Sequence, residues 1–418
     1  MPILNTLKNR KILSWSFYDF ANQPFSTIVV TFLYSSFFVQ NIAPNEVIGT
    51  KMWTNGIVLS AVIVSLTSPI IGAIADAANF RRRLLVLFTF VCSFCTMLLY
   101  FPRPGDYLLA LFLFVIANIT FEICSVLYNS YLIEISDKKN IGSISGFAWG
   151  AGYFGGIISL LLCFFLFDLN EINEIRRINI LVGIWFLFFS IPFFLYFNYE
   201  EKTRISFDDI KASFLNIRST FKGISKYRII LKFLIARLFY NDALITIFTL
   251  GGIYAVGTLD FTFNEVIILG IVLNISAGIG SIIFGYFEDI HGFRKIINLT
   301  LLILTFATIL AFIAPYTYFP KQIFWISGIL IGLMVGPNQS CSRALMARLT
   351  PDDKKNQFFG FFSFAGKATS FIGPFLFGVI TVSYNQQTAL LVVVLLFFIG
   401  FFLFNRIKFN SIDLYNEL

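Results

Sequence analysis

The stretch Gly72-Ala73-Ile74-Ala75-Asp76-Ala77-Ala78-Asn79-Phe80-Arg81-Arg82 returns 213 residues later as Gly285-Tyr286-Phe287-Glu288-Asp289-Ile290-His291-Gly292-Phe293-Arg294-Lys295. The interval is about half of the 418-residue chain. Two further blocks repeat in the same order. Phe17-Tyr18-Asp19 is echoed by Phe239-Tyr240-Asn241-Asp242, and Asp137-Lys138-Lys139-Asn140 by Asp353-Lys354-Lys355-Asn356. Each of the last two blocks precedes a Gly-Phe step, Gly146-Phe147 and Gly360-Phe361. Three ordered matches predict a chain built twice in one orientation, the organisation of many two-halved secondary transporters.

Composition gives the solvent. Hydrophobic residues make up 57% and charged residues 13%, against about 25% charged in a soluble domain. Phe alone contributes 54 residues, more than a soluble core could hide, and mean hydropathy is +0.80. The expected fold class is an all-α integral membrane protein of twelve transmembrane helices in two six-helix halves, with the lipid bilayer as its main partner. Spans are expected near 15–41, 52–75, 84–101, 107–134, 142–167 and 178–198, then 230–256, 264–286, 295–314, 321–347, 357–383 and 388–405. This divides the chain into a first half at 1–198, a polar linker at 199–229 with a short surface helix around 207–222, and a second half at 230–418.

The net charge of +8 follows the same layout. The termini and even loops hold 24 Lys and Arg, the odd loops hold five (Lys51, Arg103, Arg176, Arg177 and Lys321), and Arg237 and Lys367 lie within spans. Such alternation places both termini in the cytoplasm. A nucleic-acid partner would need the basic residues gathered on one soluble face, and the pattern excludes it. Lys8, Arg10 and Lys11 precede an apolar run too long for a signal-peptide core, so an uncleaved first span is expected. Abundant Phe, Ile, Asn and Lys, with compact loops, point to a prokaryotic inner membrane.

In the repeated loop, Asn79 and Gly292 occupy equivalent positions, and both residue types tolerate a left-handed backbone. A tight turn there would bring Arg81, Arg82, Arg294 and Lys295 back towards Asp76, Asp289 and a neighbouring helix end. Gly72 and Gly285, four residues before each Asp, would permit close helix approach. Duplication at this spacing favours a gating element over a plain basic loop.

The loop resembles the signature between the second and third spans of the major facilitator superfamily, with Ala77 and Ile290 where a basic residue usually follows the Asp. Trp15-x-Phe17-Tyr18-Asp19-Phe20-Ala21-Asn22 and Tyr240-Asn241-Asp242 resemble the branch related to the vacuolar amino-acid effluxer of autophagy. The resemblance implies a solute exporter and does not name the solute; the expected function is export or exchange of a small polar solute, an amino acid first, by alternating access.

Ionisable residues within spans are costly unless paired or facing a cavity, and the candidates among them are Asp19, Glu122, Arg237, Asp242 and Lys367. Glu122, near the middle of the fourth span, is the candidate for loading and releasing a proton. Asp19 and Asp242 suit a gate as well as a substrate contact, with Arg343, Arg237 and Lys367 as candidate partners. Lys367 is the expected contact for an anionic group, or else neutralises an acid of the opposite half. Tyr18, Asn22, Gln23, Asn129, Tyr240, Asn241 and Asn338 complete the substrate and coupling candidates, although single polar residues in spans often only join helices.

Two motifs are better read as packing. Gly150-x-Gly152-x-x-Gly155 spells a dinucleotide fingerprint but lies mid-span, with no preceding strand. Together with Gly146 and Gly156 it forms a small-residue stripe, matched in the eighth span by Ala277, Ser281 and Gly285. Cys92-x-x-Cys95 has no nearby base to generate a thiolate. Nothing calls for a cofactor, a resident metal or catalysis. The rival readings are a carrier for a sugar, drug or peptide fragment, and a transporter-like receptor that moves nothing.

Overall fold

A computed structural model of the chain describes residues 9–169, 171–197, 207–222 and 224–409. Residues 1–8, 170, 198–206, 223 and 410–418 lie outside these. Among the described residues there is no strand. Eleven helices among the described residues are long and apolar enough to cross a membrane. Arg81–Leu98 makes the twelfth, and its 18 residues open on three arginines.

In order, the first half consists of Arg10–Ile42, Glu46–Ala78, Arg81–Leu98, Tyr107–Ile135, Ile141–Leu166 and Ile172–Tyr196. The second consists of Ser225–Leu259, Glu265–His291, Phe293–Tyr316, Pro320–Leu349, Asp352–Ser383 and Gln386–Asn405. We number these as spans one to twelve. A helix at Phe207–Lys222 joins the halves and packs on span two. Its Thr220 hydroxyl accepts from Lys354 Nζ at 3.0 Å and Gln357 Nε2 at 3.2 Å.

Several spans depart from their expected limits. Span three begins at Arg81, earlier than 84, because Asn79 is left-handed (φ 47°) and turns the chain within two residues of span two. Span one starts at Arg10 and changes winding after Pro24, which has no N–H to give. Beyond it, Phe25–Phe32 and Phe38–Ile42 adopt the wider π form. Span eleven is two helices, Lys355–Lys367 and Ile372–Ser383. Pro374 explains the break, since its ring would clash with the carbonyl four residues before it in a continuous helix. The second piece is held by Asp242, whose Oδ2 accepts from Gly373 N at 2.9 Å.

The halves meet along two symmetry-related seams, span five on span eight and span two on span eleven. Here backbones touch. A Cβ on Gly285 would lie 2.6 Å from Gly142 O, and one on Gly72 would lie 2.2 Å from Asn356 O. Ala277 and Ser281 have a second role: both press on Gly336 of span ten, inside their own half. The dinucleotide-like glycines lie within the continuous helix Ile141–Leu166.

Replacing Gly285 by Leu should wedge spans five and eight apart. The expected cost is on the order of 1–3 kcal/mol, read as a lower melting temperature of the detergent-solubilised protein. An unchanged melting curve would contradict this packing.

Candidate functional site: a charged cavity between the halves

A cavity of about 430 Å³ lies between the halves, within the size range of small-molecule sites. Span one contributes Asp19, Asn22 and Gln23, span four Glu122, Ser125 and Asn129, and span five Trp149 and Tyr153. From the second half come Arg237 and Asn241 of span seven, Gln339 and Arg343 of span ten, and Phe362, Ser363 and Lys367 of span eleven.

Two ion pairs cross the cavity. Arg343 NH1 lies 2.9 Å from Asp19 Oδ2, and Lys367 Nζ lies 2.6 Å from Glu122 Oε1. Arg343, 2% exposed, has every guanidinium nitrogen engaged. Nε donates to Ser145 Oγ at 2.9 Å, NH1 also to Asn129 Oδ1 at 3.0 Å, and NH2 to Ser145 O at 2.8 Å. The rings of Trp15 and Trp149 flank it at 4.8 and 5.5 Å, a distance at which aromatic faces attract a cation. All these partners belong to the first half. Arg343, one of the candidate partners for Asp19, is a buried tie between the halves.

Arg237 sits differently. Its guanidinium stacks on Phe362 at 3.8 Å, and NH1 donates to Phe362 O at 3.2 Å. NH2 reaches Gln339 Oε1 only at 3.4 Å, and Nε has no acceptor. Gln339 Nε2 in turn donates to Asn241 Oδ1, and Asn241 Nδ2 to Gly366 O, each at 3.0 Å. Both acids that line the cavity come from the first half, and all three bases from the second.

Asp19, Asn22, Gln23, Glu122, Asn129, Asn241 and Lys367 therefore share one cavity. Tyr18, Tyr240, Asp242 and Asn338 do not line it, and their expected placement there is corrected. Tyr18 bonds Thr89 Oγ1 at 2.7 Å and Tyr240 bonds Ser342 Oγ at 2.8 Å. Asn338 donates to Thr300 Oγ1 at 3.0 Å, and Asp242 caps the broken helix. Each satisfies a neighbour within its own half. Helical phase separates them from the lining residues, since neighbours in sequence lie about 100° apart around the axis. Sequence reasoning missed Ser125 and Ser363 and three aromatic residues, Trp149, Tyr153 and Phe362. Among so many aromatic residues, no local signal marks these three.

Below the cavity, at the face carrying the repeated loops, the halves are fastened reciprocally. Asp76 Oδ1 accepts from Asn356 N at 3.0 Å and Asn356 Nδ2 at 2.7 Å, while Oδ2 accepts from Gln357 N at 2.8 Å. Asp289 accepts from Gly142 N and Ser143 N, both at 2.8 Å. Each carboxylate thus caps the first turn of a helix in the opposite half, where amides lack intrahelical partners. Among the described residues, none of the basic residues of these loops forms an ion pair with its own Asp. Arg81 pairs with Glu134 at 2.7 Å, with its guanidinium over the Tyr131 ring. Arg82 donates to Phe194 O and Arg294 to Asn405 O, both at 2.9 Å near helix C-termini, where carbonyls favour cations. Lys295 is exposed.

Losing such a cap costs about 0.5–2 kcal/mol, so the double substitution Asp76→Ala, Asp289→Ala should shift the closed state by about 1–4 kcal/mol if the two add. A cysteine at Ser363, in a background lacking the native cysteines, should then react faster with a maleimide supplied from the loop face. Equal labelling rates would contradict the fastening role.

Comparison with known proteins agrees with this architecture. Residues 50–140 and 133–411 match the family model described as Vacuole effluxer Atg22 like. The MFS-type transporter YxiO of Bacillus subtilis (strain 168) is 26% identical over 401 residues, covering 93% of this chain and 92% of that protein. Autophagy-related protein 22 of Eremothecium gossypii is 21% identical over 443 residues, covering 89% and 85%. Among solved structures, the proton:xylose symporter XylE bound to 6-bromo-6-deoxy-D-glucose superposes with a TM-score of 0.73 at 13% identity, covering 96% of this chain and 95% of that one. A bacterial homologue of the iron transporter ferroportin gives 0.73 at 10% identity, covering 95% and 98%. With its fold and most of its length accounted for, the chain belongs to the Vacuole effluxer Atg22 like family and is a membrane transporter of the major facilitator type.

Proposed function

We propose that the protein exports or exchanges a small polar solute, with amino acids as the first class to test, by alternating access to the cavity between its halves. The observation that carries this reading is the pairing of a polar cavity, lined by both halves, with a reciprocal fastening at the face of the repeated loops. Opening that fastening while the opposite face closes would move the cavity's access across the membrane without unfolding either half. The Lys and Arg distribution supports cytoplasmic termini, so the fastened face is the cytoplasmic one. The effluxer description of the family supports the outward direction.

Lys367–Glu122 and Arg343–Asp19 join opposite halves across the cavity, so reorientation must strain or exchange them. A charged group of the solute can stand in for a partner as a pair parts. Glu122 then takes a proton when Lys367 leaves it, which couples transport to the proton gradient.

The test is counterflow in proteoliposomes loaded with a mixed amino-acid pool, following entry of each labelled amino acid, with protein-free liposomes as control. Uptake of at least one label above the control is expected. Folded protein that carries no amino acid would remove that class and turn attention to sugars and other solutes. Silence across those as well would favour a receptor. For coupling, Glu122→Gln should retain counterflow and lose stimulation by an imposed pH gradient. Full gradient-driven flux in that variant would rule out Glu122 as the proton carrier.

A further inference from the structure

The charges of the cavity do not balance. Three basic side chains face two carboxylates. Arg343 is neutralised by Asp19 at 2.9 Å and Lys367 by Glu122 at 2.6 Å. Arg237, only 6% exposed, has no acidic partner among the described residues. Its acceptors are a backbone carbonyl and an amide oxygen, both neutral, and its Nε–H is unmet. A buried cation without a counter-charge is unfavourable, and such groups in membrane proteins mark ligand pathways.

The surroundings are arranged for a planar anion. Phe362 lies against the guanidinium at 3.8 Å, and each terminal nitrogen makes one hydrogen bond, which leaves N–H groups to spare. The absence of a side chain at Gly366 makes room, since a Cβ there would stand 2.9 Å from Arg237 NH1. The chain Gln339–Asn241–Gly366 fixes the amide so that its oxygen, not its NH₂ group, faces Arg237. Arginine's fork matches a carboxylate bidentately, which a lysine cannot do.

Building on the transport reading above, we propose that Arg237 is the docking cation for the solute's carboxylate, and that the cavity selects solutes of net negative charge over zwitterions and amines. A bound monoanion neutralises the surplus charge and leaves both cross-cavity pairs intact. A zwitterion leaves the surplus in place, and an amine adds to it. Acidic amino acids and simple organic acids are the class this chemistry recognises.

The experiment is proteoliposome counterflow with the full-length protein and four labelled probes: glutamate, lactate, alanine and putrescine. Glutamate and lactate should be carried with a lower KM than alanine, and putrescine should not enter. In Arg237→Gln the glutamate KM should rise by about 30-fold or more, as when one member of a buried charge pair is truncated. The glutamate-to-alanine ratio should collapse, while Arg237→Lys should restore part of that ratio by charge alone. The ratio is read within one preparation, so loss of folded protein cancels. Should Arg237→Gln not fold, Gly366→Ala provides the second variant. It keeps the charge, displaces the guanidinium, and should lower the same ratio. Alanine carried as well as glutamate by the wild type, or a ratio unmoved in the variants, would overturn the assignment while leaving transport standing. Wild-type protein that carries neither these probes nor any amino acid or sugar would overturn the transport reading and this assignment together.

Discussion

A helix leaves its first amide hydrogens without partners, and in this protein two such ends are satisfied from the wrong side of the molecule. Asp76 closes the start of span eleven, and Asp289 closes the start of span five. Each half therefore depends on the other to complete a helix. The energy at each site is modest, about 0.5–2 kcal/mol for a cap, and that is suitable for a contact that must break repeatedly. A purely apolar seam of the same area would hold more tightly and release less readily. The glycines four residues before each Asp bring the backbones close enough for the carboxylates to reach.

Much of this was legible in the sequence. The repeat of Gly72–Arg82 at Gly285–Lys295 gave two halves, and apolar length gave twelve spans, because both depend on local composition. Left-handed Asn79 could be foreseen for the same reason. What escaped was direction around a helix axis. Tyr18 and Asp19 are adjacent, yet one faces span three and the other faces the cavity. Tyr240, Asn241 and Asp242 divide in the same way. Without the packing partners known, a polar residue in a span gives no sign of whether it meets solute or neighbour.

Pairing across the halves was also beyond local reading. Lys367 and Glu122 are 245 positions apart and meet only because spans four and eleven face each other. Arg343 was one of three candidate partners for Asp19 and Asp242, and sequence could not choose among them; its whole set of acceptors lies in the other half. The breaks in spans one and eleven fall at or beside Pro24 and Pro374, whose sequence signal was available. Its consequence was not, because proline often sits in a membrane helix with its freed groups satisfied by neighbours. Here the neighbour is Asp242, a side chain better explained as a backbone partner than as a solute contact.

The segregation of charge by half has a consequence for anything that enters. Asp19 and Glu122 stand on one wall, with Arg237, Arg343 and Lys367 on the other. The two ion-pair contacts, at 2.9 and 2.6 Å, act as dipoles with their positive ends on the second half, and Arg237 adds to that side, so the two halves form oppositely charged plates of a shared local field. A dipolar molecule feels a torque there before it makes any contact, and its negative end turns towards the second half. When the halves rock, the plates tilt with them, so the same field that orients an arriving solute is re-aimed as the solute departs.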